Sequence, residues 1–221
     1  MKDAFLKRNW LVVNTKEAAD TLTNPDKYYY LIPFMRTERT LSEAARDLNI
    51  KPNALFYQVK RLETLGLIYV VRVQQRKGRA SKVYRASAQR FIIPFKSTSA
   101  ETMESIIHRM REPADKKIIE AYLKTMHDHT ENFGLWLSLA DDNLMEMVYA
   151  PLISDQWLAH DQLLAADFPA LFSKYASFPL DFATAKEVQL GLIELFEKAR
   201  EKSQPSGKRY LMNFSIVPLD D

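Results

Sequence analysis

Between Thr40 and Leu48 the apolar residues fall at Leu41, Ala44, Ala45 and Leu48. Their spacing of i, i+3, i+4 and i+7 predicts a helix of about two turns with one buried face. Thr40-Leu41-Ser42-Glu43 opens it as a capping box, in which the Thr40 hydroxyl accepts from the Glu43 N–H and the Glu43 carboxylate reaches back. Asn49 tolerates the left-handed conformation that ends a helix, and Pro52 suits the first turn of another. In that second helix, 52–65, Leu55, Val59 and Leu62 form the inner stripe. Asn53, Tyr57, Lys60 and Arg61 point the other way, with Ala54 beside them. Gly66 closes the helix. Ile68 to Gln75 is β-branched and alternating, and Lys82 to Ala86 is its expected antiparallel partner. Arg76-Lys77-Gly78-Arg79-Ala80-Ser81 lies between them as a hairpin tip with three positive charges.

Upstream, Lys16 to Leu22 and Asp26 to Met35 read as two short helical pieces divided by Asn24-Pro25, with Pro33 expected to kink or stop the second because it lacks an N–H. After Pro94 the character changes. Ser99 to Met110 and Asp115 to Asn132 are expected as separate amphipathic helices, with Met103, Ile106, Ile107 and Met110 inward on the first and Ile118, Ile119, Tyr122, Leu123 and Met126 on the second. Phe133, Leu135, Leu137 and Leu139 alternate like a strand, 140–143 is a turn, and Leu144 to Ala150 is the return strand. Trp157 to Tyr175 reads as helical, interrupted near Phe168-Pro169. Thr184 and Glu187 resemble a second capping box, opening a helix 185–202 with Val188, Leu192, Leu195, Phe196 and Ala199 inward. Tyr210, Met212, Phe214 and Ile216 alternate in an expected final strand. The expected class is α+β, mostly helical, with one domain at 1–95 and a second, helical with a small sheet, at 96–221.

A chain of 221 residues, 47% apolar and 27% charged, has the composition of a folded globular protein rather than a disordered one. Its longest apolar runs, such as Leu11-Val12-Val13, are far short of a membrane span. No secretory pattern opens the sequence, so the cytoplasm is the expected location. Cysteine is absent, which excludes disulfides, thiolate metal sites and cysteine nucleophiles. Charge is divided unevenly. Residues 1–97 hold 19 Lys+Arg against 8 Asp+Glu, a balance of +11, and residues 98–221 hold 12 against 20, a balance of −8. The first half is suited to a polyanion and the second is not.

Other chemistry finds little support. His127 and His129 stand at i and i+2, about 200° apart on a helix, and cannot share an ion. His108 and His160 have no partner at ligand spacing. No nucleophile elbow, phosphate loop or dinucleotide fingerprint occurs, and only five glycines exist to build one. Asp141-Asp142 reads as a polar turn rather than a catalytic pair. Neither an enzyme, a cofactor nor a metal is expected. Trp136, Tyr149 and Trp157 read first as ordinary core and second as the lining of an effector pocket.

Helix, turn, helix and then a ribbon with a basic tip is the order of a winged helix-turn-helix. Thr40-Leu41-Ser42-Glu43-Ala44-Ala45, then 53–63 (Asn53-Ala54-Leu55-Phe56-Tyr57-Gln58-Val59-Lys60-Arg61-Leu62-Glu63) and Gly66-Leu67-Ile68 resemble the two motif helices and exit of ArsR-like winged-helix transcriptional regulators. Thr23-Asn24-Pro25 is similar to the start of that family's preceding helix, and Tyr84-Arg85-Ala86 to the end of its wing. The resemblance covers residues 10–95, with a weaker similarity at 185–218. Lys51 stands where a small capping residue is common and Gln58 where a histidine is frequent. The cysteine motif of the metal-sensing members is missing, which excludes a thiolate metalloid sensor.

The resemblance implies a dimeric regulator of transcription, a repressor in the first instance, with double-stranded DNA as partner, dimer contacts on 99–110 and 115–132, and an unidentified small-molecule effector as a further expected partner. The expected DNA-contacting residues are Lys51, Asn53, Ala54, Tyr57, Gln58, Lys60 and Arg61 on the second helix, and Arg76, Lys77 and Arg79 on the tip. Asn53 is suited to bidentate pairing with adenine, Ala54 to a thymine methyl, and Tyr57 to sugar or phosphate. Lys60 and Arg61, one turn on, suit the backbone, and the tip suits the minor groove. The rival expectation is an adaptor, a winged helix used for protein contacts without specific DNA binding.

Overall fold

The computed structural model describes residues 10–75, 80–129, 133–139, 145–153, 156–157, 166, 168–173 and 177–219. The protein is α+β and divides into two compact units, Met1–Lys116 and Lys117–Asp221. The division falls at 116/117, inside a helix.

In the first unit β1 (Trp10–Val12) leads to α1 (Lys16–Leu22) and α2 (Pro25–Tyr28). Asn24 caps α2 by accepting from the Asp26 N–H at 3.0 Å, and Pro25 occupies the first turn, where a missing N–H costs nothing. The expected single piece 26–35 is split in three. A 3₁₀ turn, Tyr29–Leu31, separates α2 from α3 (Ile32–Arg36), so Pro33 sits in the first turn of a new helix instead of stopping an old one. A two-residue strand, β2 (Arg39–Thr40), precedes α4 (Leu41–Asp47). Both halves of the Thr40/Glu43 capping box form. Thr40→Ala removes the hydroxyl that accepts from the Glu43 N–H, and about 1 kcal/mol of stability should go with it. A chemical denaturation series comparing Thr40→Ala with Thr40→Ser measures this, and the serine variant should keep most of the loss from appearing.

Asn49, with φ 55°, turns the chain out of α4, and α5 (Pro52–Thr64) follows. Gly66 takes φ 68° after α5 and frees the chain to enter β3 (Ile68–Gln74), which pairs antiparallel with β4 (Ser81–Ala86). β4 also pairs with β2, giving the sheet order β2-β4-β3. β5 (Arg90–Ile92) lies parallel to β1, Trp10 opposite Arg90, a pairing across 80 residues with no local signal in the sequence. Phe34, Leu31, Leu55, Leu67 and Ile68 are the large side chains at the centre of the core.

The expected break between 110 and 115 does not occur. A single helix, α6 (Met103–His127), runs through Pro113. Proline in a helix interior forfeits one backbone hydrogen bond and costs about 3 kcal/mol, which the turns on either side, both rich in helix-forming residues, absorb. Of the residues expected inward on this helix, Ile106 and Met126 are buried, whereas Met103, Ile107 and Ile119 are exposed.

In the second unit β6 (Phe133–Leu139), β7 (Met145–Ile153) and β8 (Gln156–Trp157) form an antiparallel sheet in that order. The expected turn at 140–143 lies outside the described residues. The helix expected over 157–175 is not found where the chain is described: Trp157 pairs with Leu152 in a strand, and 168–173 carries no helix. α7 (Phe182–Glu201) begins three residues before the expected 185. Its cap is Asp181, whose carboxylate accepts from the Thr184 N–H at 2.7 Å, so Thr184 is a donor within the first turn rather than the cap. The inward set Val188, Leu192, Leu195, Phe196 and Ala199 is not buried, and no residue of α7 is. The final strand at 210–216 does not form either, and among the described residues no strand pairs with it. Phe214 instead lays its ring against Phe196 of α7, centroids 5.5 Å apart. Among the described residues no helix is long and apolar enough to cross a membrane.

Candidate nucleic-acid interface

Helix α5 is held from one side only. Leu55, Val59 and Leu62 are buried, each worth about 1.5–3 kcal/mol, and they fix the rotation of the helix about its axis. The same rotation places Asn53, Ala54, Tyr57, Lys60 and Arg61 in solvent, with Tyr57 76% exposed. Lys51, just before the helix, is exposed as well, whereas Gln58 is half-buried on the flank. The expected residues 51, 53, 54, 57, 60 and 61 therefore lie on one accessible surface, and Gln58 stands at its edge. Arg76, Lys77 and Arg79 lie outside the described residues.

One residue of this surface escaped the sequence reading. Phe56 is exposed and its ring carries the Lys60 ammonium at 4.8 Å, with the Tyr57 ring edge-on at 5.6 Å. An aromatic residue four positions before a lysine on a helix is the signal that reveals it. The stack restrains Lys60, which lowers the entropy lost when its ammonium meets an anion.

The N-terminus of α5 adds partial positive charge. Lys51 supplies no side-chain cap and Pro52 has no N–H; the Ala54 N–H bonds the Lys51 carbonyl at 3.0 Å, which leaves the Asn53 N–H as the uncapped donor of the first turn. The surrounding cations differ in availability. Arg39 binds Asp47 at 2.7 Å, Arg72 pairs with Glu38, and Lys82 approaches Glu63 at 3.5 Å. The first ties β2 to α4, the second ties β3 to the segment before β2, and the third ties β4 to α5. Lys51, Lys60 and Arg61 make no ion pair among the described residues, which leaves their charge for an external anion.

Two titrating groups mark how the surface is supported. Burial, and then the neighbouring Glu63, push the Tyr84 hydroxyl above its ordinary range, as expected for a β4 side chain under the helices. Burial alone would raise the Asp20 carboxyl, but the hydrogen bond from the Ser99 N–H at 2.7 Å, with Lys16 and Lys27 nearby, holds it below its ordinary value. Its contribution to stability is present above the ordinary carboxylate pKa and is lost as pH falls through the lowered one.

Among the described residues no group of three His, Asp or Glu side chains could hold a metal ion. His108 lies 3.6 Å from Glu104 and His129 meets the Thr125 carbonyl at 2.8 Å, both within their own helical turn. Among the described residues of the surface, nothing sets a nucleophile beside a base. What it can do is bind: a groove-sized helix, hydrogen-bonding side chains at its N-terminal end, and cations one turn on. No protein-family model matches the chain, and no curated protein is significantly similar to it.

Proposed function

We infer that the protein is a sequence-specific double-stranded DNA-binding regulator of transcription with an ArsR-like winged helix-turn-helix, acting as a homodimeric repressor. In this reading α5 is the recognition helix and enters the major groove, and the β3–β4 ribbon is the wing, its tip at the adjacent minor groove. The observation that carries it is the division of α5 into a buried stripe and an exposed face of Asn53, Ala54, Tyr57, Lys60 and Arg61. The turn between α4 and α5 and the antiparallel ribbon that follows support the same geometry. A merely solvated helix would not need hydrogen-bonding groups at its N-terminal end and, beyond them, cations without an ion-pair partner among the described residues.

Selection from a pool of genomic DNA fragments tests the reading. The native protein should enrich a short inverted repeat, and a Tyr57→Ala, Arg79→Ala double variant should not. Separately, Tyr57→Ala should cost about 1–3 kcal/mol at the true site and relax its preference at one position, whereas Arg79→Ala should weaken all sequences alike. Equal losses of specificity from the two would end that division of labour. Failure of the native protein to enrich any fragment above the double variant would favour the adaptor.

A further inference from the structure

Beneath the proposed recognition helix the first unit holds an open apolar pocket of about 240 Å³. Leu22 closes α1, Tyr28 closes α2, and Leu31 and Met35 follow from the 3₁₀ turn and α3. Phe91, on the inner side of β5, and Ile93 form a second wall, and Met110 of α6 forms the third. No lining side chain is charged. Two of the walls carry methionine, whose unbranched side chain adapts to irregular shapes.

We propose that this pocket is a binding site for an uncharged, predominantly aromatic or aliphatic small molecule. Size sets the class: a dry apolar cavity of about 150 Å³ holds benzene, so this one suits a fused bicyclic molecule of roughly ten non-hydrogen atoms. Chemistry sets its charge, because apart from the Tyr28 hydroxyl the lining offers a carboxylate or ammonium no polar partner. The pocket shares its floor with the helix above. Leu31 belongs to the 3₁₀ turn Tyr29–Leu31, against which α5 packs. Tyr29, in the same turn, donates its hydroxyl to the Leu48 carbonyl at 2.9 Å, at the end of α4. A ligand wedged between Leu31 and Met110 therefore presses on a turn that packs against α5 and hydrogen-bonds the residue that ends α4. The site stands on the pocket alone. Its role as an effector site rests on the regulator reading.

Full-length protein with ¹³C-labelled methionine methyls, titrated with 1-naphthol, separates the two. Of the eight methionines, the Met35 and Met110 methyls should shift saturably, with a midpoint on the order of 10–100 µM for a ligand of this size. Exposed Met103 should not move, and decanoate should bind at least about tenfold more weakly. Ile93→Trp and, independently, Met110→Phe should fill the pocket and abolish the shift while still melting cooperatively. No saturable shift at Met35 and Met110 would overturn the site. So would shifts that depend on protein concentration without naphthol, which would mean that a second copy of the chain occupies it. In the second arm, naphthol should change retention on operator DNA by about fivefold or more in the native protein and not in Ile93→Trp. Unchanged retention would overturn the effector role. Absence of any DNA binding would instead count against the regulator reading, with the site itself decided by the first arm.

Discussion

Affinity for duplex DNA should fall by about 10³-fold or more between roughly 50 and 200 mM monovalent salt. The size of the effect follows from the number of cations that can reach phosphates. Lys51, Lys60 and Arg61 are exposed on or beside α5 with no ion-pair partner among the described residues, and the sequence between β3 and β4 adds Arg76, Lys77 and Arg79. Two protomers on paired half-sites would double that set. If about half of them displace a condensed counterion, log affinity should fall against log salt with a slope of roughly −5 or −6. Arg39, Arg72 and Lys82 are excluded from the count because each already faces a carboxylate. Lys60→Ala should reduce the slope by about one and weaken all sequences alike. Fluorescence anisotropy on a fixed duplex at five salt concentrations measures it. A slope shallower than about −2 would mean that the face meets something other than a polyanion, and the adaptor reading would take over.

The parts of this surface that could be read from the sequence are those built from local rules. Thr40 and Glu43 are three residues apart and need only each other. Asn49, Pro52 and Gly66 are placed by backbone preference, and Leu55, Val59 and Leu62 by helical period, so the outward set 53, 54, 57, 60 and 61 followed by subtraction. Where the outcome depends on distant partners, local rules were silent or misleading. The parallel pairing of Trp10–Val12 with Arg90–Ile92 joins two three-residue strands that nothing nearby announces. Pro113 invites a helix break, yet one extra unsatisfied carbonyl is cheaper than two new helix ends with their own uncapped groups. Thr184 and Glu187 matched a capping pattern, but Asp181 is the stronger acceptor and captured the Thr184 N–H first. At 210–216 the alternation is real and half-buries Met212 and Phe214, but a strand exists only against another strand.

Phe34→Ala should lower the stability of the first unit by about 3–5 kcal/mol, the largest single loss expected among the described residues. Phe34 is 0% exposed, and its ring meets Tyr84 of β4 edge-on at 6.1 Å. It joins α3, which follows the 3₁₀ turn that α5 packs against, to β4 of the ribbon, so its removal leaves a cavity between α3 and that ribbon. A unit of about a hundred residues has on the order of 5–15 kcal/mol in total, and the melting midpoint should drop by about 15–30 °C. Tyr57→Ala is the opposite case. That ring is largely in solvent, and its loss should leave stability within about 0.5 kcal/mol of native. The two variants thus separate folding from recognition. At 4 °C, where Phe34→Ala is still folded, it should retain the native sequence preference with reduced overall retention, whereas Tyr57→Ala should melt like the native protein and read a different site. Differential scanning calorimetry of both, beside DNA selection with both, is the measurement. A Phe34→Ala variant that melts with the native protein would mean that α3 and β4 are not joined through this ring, and the support described here for the α5 surface would fail with it.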